Sequence, residues 1–426
     1  MGWGGGRVLR DRNVLFYLSG VVVSGFGSSA MALAAGVWTK SLTGSDSLAA
    51  LTTFCVWAPI LFGPLIGTLA DRARRRPLLI WTNLGMAAVL LPLLVVSSSD
   101  HVWILFAVLI VYGTSSVLLD AAEAALVATA VPETLRGDFN GLRMTANEGM
   151  KLVAPLLGAL LFVQFGGTAV ALLDAAAFVL AAIAFALIRV SEPVPRPAQA
   201  QRWSAQAAEG IRYLRHHPAL WRLVLAGAAT MGVAGLNGAS VYAVVDAGLH
   251  RPPAFAGVLY AVQGSGSVVI GLFAGALLRR MPERVFTAVG IMLFALGVAL
   301  RVIPSVPVVL LASGLIGMGL PCVLIAAMTA VQRETPGDLL GRVAATANTL
   351  LFAPNAVALA VGAGLLVFVD HRVLLLVAGT AAAATAIGCL IGHGSRTHRG
   401  TPPSGNPCVP RSRAPKGHKR REAREP

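Results

Sequence analysis

Residues 77–128 read PLLIWTNLGMAAVLLPLLVVSSSDHVWILFAVLIVYGTSSVLLDAAEAALVA, two long apolar runs parted by SSDH at 98–101. A hydrocarbon core is crossed by about 20 apolar residues of helix. A lone segment crosses it only as a helix, because no water is present to satisfy backbone N–H and C=O groups. Working outward from this pair, the pattern recurs at 14–38, 48–70, 77–97, 102–128, 143–165, 168–189, 221–245, 254–278, 285–303, 306–330, 343–369 and 372–392. Twelve such runs predict an all-α integral membrane protein. Composition agrees: charged residues are 12% of the chain and hydrophobic ones 56%, where soluble domains carry about 25% charged residues.

Arg7, Arg10 and Arg12 precede an apolar run too long for a cleavable signal, so the first span is expected to be its own insertion signal. Cys55, Cys322 and Cys389 lie in spans and Cys408 in the tail, without the paired spacing of a zinc site or disulfide framework.

A net charge of +15 would suggest nucleic acid in a soluble protein, but the placement of the charges argues otherwise. With the N-terminus inside, 29 of the 34 Lys and Arg fall in cytoplasmic segments, against Lys40, Arg251, Arg301 and Arg372 outside and Lys151 within a span. That asymmetry puts both termini in the cytoplasm of a cell inner (cytoplasmic) membrane protein.

The spans divide into blocks at 1–190 and 219–392, joined by a cytoplasmic linker at 191–218. The linker opens with SEPVPRPAQAQR, which cannot span, and continues as WSAQAAEGIRYLRHHPALW. There Ile211, Leu214 and Tyr213 among Arg212, Arg215 and His216 suggest a short amphipathic helix on the inner membrane surface, or else a solvated connector. Residues 393–426 contain no apolar run and read as a disordered basic cytoplasmic tail.

The blocks resemble each other. AVPETLRGDFNGLRMTANEGMKLVAPLLGALL and AVQRETPGDLLGRVAATANTLLFAPNAVAL match Gly141 to Gly341, Asn147 to Asn348 and Pro155 to Pro354, at offsets of 200, 201 and 199. A parallel repeat about an axis along the membrane normal is a transporter signature.

Between spans 2 and 3 stands GPLIGTLADRARRRPLL, in which Gly67 permits close helix approach and Asp71 lies at the membrane edge. The stretch resembles the 2–3 loop signature of the major facilitator superfamily, G-x-L-A-D-R-x-G-R-R-x-x-L. Gly67, Leu69, Ala70, Asp71, Arg72, Arg75, Arg76 and Leu79 match, while Arg74 replaces the second glycine. The resemblance covers residues 1–392 and implies two pseudo-symmetric six-helix bundles rocking about a central site. Gly67, Asp71, Arg72, Arg75 and Arg76 would form the conformational gate. In that role Asp71 would hold the cytoplasmic face shut through Gly341–Arg342 and Arg136. RNVLFYLSGVVVSGFGSS, EGIRYLRHHPALWRL and QRETPGDLLGRV look most like bacterial drug and siderophore exporters. Two departures weaken antiport. Leu109 stands where many proton-coupled exporters have an arginine, and Ala154-Pro155-Leu156-Leu157-Gly158-Ala159 only partly matches their span 5 signature.

Charges inside spans cost about 2.5–3.5 kcal/mol at mid-membrane, so each calls for a role. Asp120 and Glu123 share a face of span 4, Glu148 and Lys151 share one of span 5, and Asp174 lies apart in span 6. They read as a structural or gating salt-bridge network, as proton-coupling residues because three carboxylates face the single Lys151, or as water-exposed positions. The C-terminal half has no such charge in its spans. Its polar candidates for the substrate path are Asn237, Tyr260, Gln263 and Asn348, with Asn147 from the first half. Trp38 and Trp103 read as interfacial anchors.

No nucleotide-binding loop and no metal-spaced ligand set is present, so neither an enzyme, a cofactor nor a metal is expected. The reading is a secondary active transporter, most simply a proton-driven multidrug-type antiporter exporting a small amphipathic molecule. Its partners would be that substrate, protons and lipid, with no nucleic acid, and it would act as a monomer. An importer, or a receptor or scaffold on the same fold, is the alternative. Single cysteines at Ser45 and Ser99 should react with an impermeant external thiol reagent, and one at Ser204 should not. Reaction at Ser204 in intact cells would overturn the topology.

Overall fold

A computed structural model describes residues 12–63, 66, 73–130, 136–189 and 203–391. Among them every regular element is helical. The first half contributes α1 (Arg12–Thr43), α2 (Asp46–Trp57), α3 (Arg75–Leu90), α4 (Val102–Ala130) and α5 (Arg136–Leu187). A linking helix α6 (Trp203–His216) follows, then α7 (Pro218–Ala239), α8 (Ala256–Arg280), α9 (Glu283–Leu300), α10 (Val306–Glu334), α11 (Gly337–Leu365) and α12 (His371–Ile391).

Ten of the described helical stretches are long and apolar enough to cross a membrane, and Asp46–Phe62 is a shorter apolar one. α5 holds two of the expected spans. At Gly166 the backbone turns to φ 76°, ψ 177°, a conformation side chains rarely tolerate, and then re-enters helix. Two expected spans are less regular than the sequence suggested. α2 passes into a 3₁₀ turn at Ala58–Phe62 and α3 into another at Leu91–Val95, each with a proline, Pro59 or Pro92, at its start. Proline lacks the N–H an α-helical turn would use.

α1 packs along α5, α3 against α4 and α5, and α2 against α4; in the second half α7 packs on α11 and α12, and α9 on α10 and α12. The halves meet along two seams, α2 with α11 and the first part of α5 with α8. The second helix of each half thus touches the fifth span of the other. That exchange is what a two-fold relation between repeats requires, as the family resemblance implies.

Lipid gives helices no hydrophobic reason to associate, so close approach depends on small residues. A Cβ at Gly158 would meet the Ala30 backbone at 2.8 Å, where α5 crosses α1. At Gly257 it would lie 2.9 Å from the Ala159 methyl, on the α5–α8 seam. The partial span 5 signature therefore sits where two helices and both halves converge.

At the end bearing α6, called here the linker end, Asn13 and Arg189 exchange hydrogen bonds of 3.0 and 2.9 Å. Arg76 donates to the last carbonyls of α5, at Phe185 (3.2 Å) and Ala186 (2.5 Å). A guanidinium capping helix carbonyls gives one arginine of the 2–3 loop a structural duty. α6 is amphipathic as expected, but its apolar face lies on protein instead of the membrane surface. Leu214 is fully buried among Leu220, Val224, Ala330 and Val343, and Tyr213 donates to Glu334 O at 2.7 Å. Trp38 is also corrected: it is 5% exposed, packed where Gly167 leaves room for its ring, whereas Trp103 is 66% exposed as an anchor should be.

Gly158→Val should cost about 1–3 kcal/mol, the usual penalty for overpacking. Thermal unfolding in detergent should show a clear loss of midpoint for that variant. Gly85→Val, where a Cβ meets nothing within 4 Å, should leave the midpoint in place.

Candidate functional site

Mid-length along α1 and α4, inside the first half, lies a cavity of about 290 Å³. α1 contributes Ser24, Gly25, Ser28 and Ser29, and α4 contributes Tyr112, Ser115, Ser116, Asp120 and Glu123. Met86, Met150 and Phe178 close it from α3 and the two parts of α5. Transporters hold their solutes near the midplane where repeats meet; this cavity lies within the first half, between its first and fourth spans. Glu123 is 7% exposed, and the Tyr17 hydroxyl donates to its Oε2 at 3.2 Å. Asp120 stands at the exposed side of the cavity.

Asp174 is completely buried just behind this wall. Tyr112, a cavity residue, donates to its Oδ2 at 3.1 Å, and Oδ1 has no hydrogen-bond partner. Gly27 lets the carboxyl in, since a Cβ there would collide with Oδ1. One tyrosine thus connects the cavity to a carboxyl that solvent does not touch. A buried polar atom left unpaired is costly and calls for an explanation.

Of the other coupling candidates, Glu148 and Lys151 have side chains outside the described set, as does Asn147 of the substrate path. Gly67, Asp71 and Arg72 of the gate motif also lie outside the described residues. Arg342, read as a partner for Asp71, pairs with Glu209 of α6 at 2.7 Å. Four substrate-path candidates are not in the cavity. Asn237 is buried and bonded to Arg301, Tyr260 and Gln263 are partly buried on α8, and Asn348 is exposed on α11.

Arg301 corrects the expectation that the second half holds no buried charge. It is 2% exposed, and its guanidinium donates to Asn237 Oδ1 at 2.9 Å and Ser313 Oγ at 3.0 Å. It ties α7 and α10 to the end of α9 through neutral partners. A depression of about 670 Å³ runs along α7 and α11, with Thr349 as its one polar side chain among the described residues.

The second feature is ionic and joins the halves at the end opposite the linker, the far end. Lys40, 7% exposed, reaches Asp46 Oδ1 at 2.9 Å within its own half and Asp246 Oδ2 at 2.6 Å across the divide. α7 breaks after Ala239, and a π-turn at Val244–Gly248 carries Asp246 toward Lys40. Such turns frequently mark functional positions. Ser47 donates to Ala363 O at 2.6 Å and Tyr242 to Leu33 O at 3.3 Å, also between halves. Deeper in, Trp57 stacks on Phe352 with centroids 5.9 Å apart. The cross-half polar contacts among the described residues gather at this end. Sequence reading gave Lys40 only as an external topology charge.

A bundle of apolar helices with a polar mid-membrane cavity and a seal at one end defines a membrane transporter. The Major Facilitator Superfamily model matches residues 17–359, and the chain belongs to that family. It is 27% identical over 221 residues to macrolide efflux protein A of Streptococcus pyogenes, covering 50% of this chain and 54% of that protein. The chain thus spans about half the length of that relative. A macrolide efflux protein A of Enterococcus faecalis is 22% identical over 299 residues, 68% of this chain and 92% of that protein. Among solved structures, a nucleoside transporter superposes with a TM-score of 0.72 at 12% identity, over 89% of this chain and 99% of that one. A peptide transporter gives a TM-score of 0.70 at 17% identity, over 88% and 93%. At those identities the likeness is one of fold.

Asp246→Asn should free the far end, because Lys40 keeps only its partner on the same half. A thiol introduced by Thr39→Cys, at a fully buried site whose hydroxyl has no partner, reports the opening. Alkylation should accelerate about fivefold, the equivalent of about 1 kcal/mol from a half-exposed pair. Asp46→Asn should leave the rate nearly unchanged. Equal rates in all three backgrounds would show that the pair does not latch.

Proposed function

We propose that this transporter is a proton-driven exporter, moving a small amphipathic molecule out across the cytoplasmic membrane by alternating access. The observation that carries the reading is the mid-membrane cavity with Asp120 and Glu123 on its wall and Asp174 behind Tyr112. Ionisable groups at that depth are expensive and persist where they serve transport or coupling. Export is favoured by the efflux proteins among the relatives, and a macrolide is the first substrate to try.

In this reading the 29-to-4 distribution of Lys and Arg places the far end outside the cell, with both termini and the 191–218 linker inside. The Lys40–Asp246 contact then closes the outer face, and the structure corresponds to an inward-facing state of a monomer built from bundles at 1–190 and 219–392. Asp71 and the arginines after it would close the inner face in the alternate state. Asp174 is the coupling residue best placed: it exchanges protons with the cavity through Tyr112 when the bundles rock and water reaches that wall.

Inverted vesicles with an acid interior should accumulate a labelled macrolide against its gradient, and a protonophore should abolish the uptake. Asp174→Asn should reduce uphill accumulation to background while sparing downhill exchange. Gradient-driven uptake with unchanged pH dependence in that variant would remove Asp174 from the mechanism. Accumulation only in right-side-out vesicles would make the protein an importer.

A further inference from the structure

We propose that the cavity between α1 and α4 is a subsite for a small hydroxylated organic cation, whose ammonium group lies against Asp120 and Glu123 while its oxygens meet the serine hydroxyls. This rests on the reading of the chain as a transporter of small solutes and adds the chemical class of what it holds.

The serines argue for an oxygen-rich guest. A serine or threonine inside a helix ordinarily turns its hydroxyl back to a carbonyl one turn earlier. Ser24 does so with Gly20 at 2.9 Å, and Thr114 with Ile110 at 2.8 Å. Ser29, Ser115 and Ser116 make no hydrogen bond among the described residues, although all three line the cavity. These hydroxyls are left to whatever enters.

The carboxylates argue for positive charge. No lysine or arginine appears among the described lining residues, and Glu123 is held in place by Tyr17. Both carboxylates keep contacts within the protein, so a cation joins an existing network. Near a protein wall that attraction is stronger than in bulk water. An anionic guest would be repelled, and a neutral one would forgo the charge interaction.

Size sets the remaining limit. About 290 Å³ lies just below the span of drug-sized pockets. It admits one substituted six-membered ring, with Phe178 and Met150 against its apolar face. A larger amphiphile would place only its head group here.

Gly25 supplies a reporter, since a Cβ there meets nothing within 4 Å and points into the cavity wall's open space. The full chain, with its four native cysteines replaced and Gly25→Cys introduced, would be reconstituted in lipid nanodiscs and its alkylation rate measured. Glucosamine is the probe. N-acetylglucosamine, which has the hydroxyls without the charge, and tetramethylammonium, which has the charge without the hydroxyls, are the controls. Glucosamine should slow alkylation at least about fivefold at concentrations where neither control does, a difference of about 1 kcal/mol in binding. Glu123→Gln should erase the protection, and Asp120→Asn, at an exposed position less prone to misfolding, should weaken it. Equal protection by N-acetylglucosamine would show that charge is not read. Equal protection by tetramethylammonium would show that the hydroxyls are not. No protection by any probe would overturn the subsite outright. No gradient is involved, so gradient-driven flux without protection sinks this inference alone, and protection without flux sinks the exporter reading alone.

Discussion

The absence of water from the hydrocarbon layer governs this molecule. Every backbone N–H and C=O at that depth must find a partner within the protein, which forces the described spans between Arg12 and Ile391 into helices. The same absence removes the hydrophobic drive between helices, so their approach depends on residues such as Gly158 and Gly257. It also makes each polar side chain in the interior conspicuous. Arg301 bonds to Asn237 and Ser313 and braces three helices, leaving its buried Nε without a partner. Asp174 is likewise half satisfied, and what sets it apart is that its partner Tyr112 lines a cavity.

Much of the fold was legible in the sequence because membrane spans are local. Length and apolarity identify them one at a time, and the matched Pro155 and Pro354 tied one half to the other. Both prolines lie inside helices at equivalent places, in the first part of α5 and in α11. The candidate site was less legible because a cavity is made by helices that meet only after folding. Asp120, Glu123 and Asp174 stood out as charges, but Ser28, Ser115 and Tyr112 do not differ in sequence from serines and tyrosines that merely satisfy their own helix. Lys40 and Asp246 are 206 positions apart, and each alone reads as a membrane-edge charge. Arg301 misled for the same reason: a cation near the end of a span looks external until α7 and α10 are seen to enclose it.

The polar features divide the labour of a transporter between two depths. The far-end contacts around Lys40 join the halves through an ion pair whose aspartate is half exposed, and in the proposed cycle it would hold one state and then release it. The cavity lies within one half, so its walls can stay intact while the halves move. A solute bound there shifts the equilibrium only as far as it prefers one arrangement over the other. Tyr112 gives the cavity a physical link to Asp174, and that link is how proton and solute would influence each other.

The central claim is that the halves move as bodies about a seal that alternates between ends. Double electron–electron resonance between spin labels at Ser41 and Arg251, and separately at Arg189 and Arg280, measures it most directly. The far-end distance should lengthen as the linker-end distance shortens when pH or substrate is changed. Both distances changing in the same direction, or neither changing under conditions that support transport, would contradict the account.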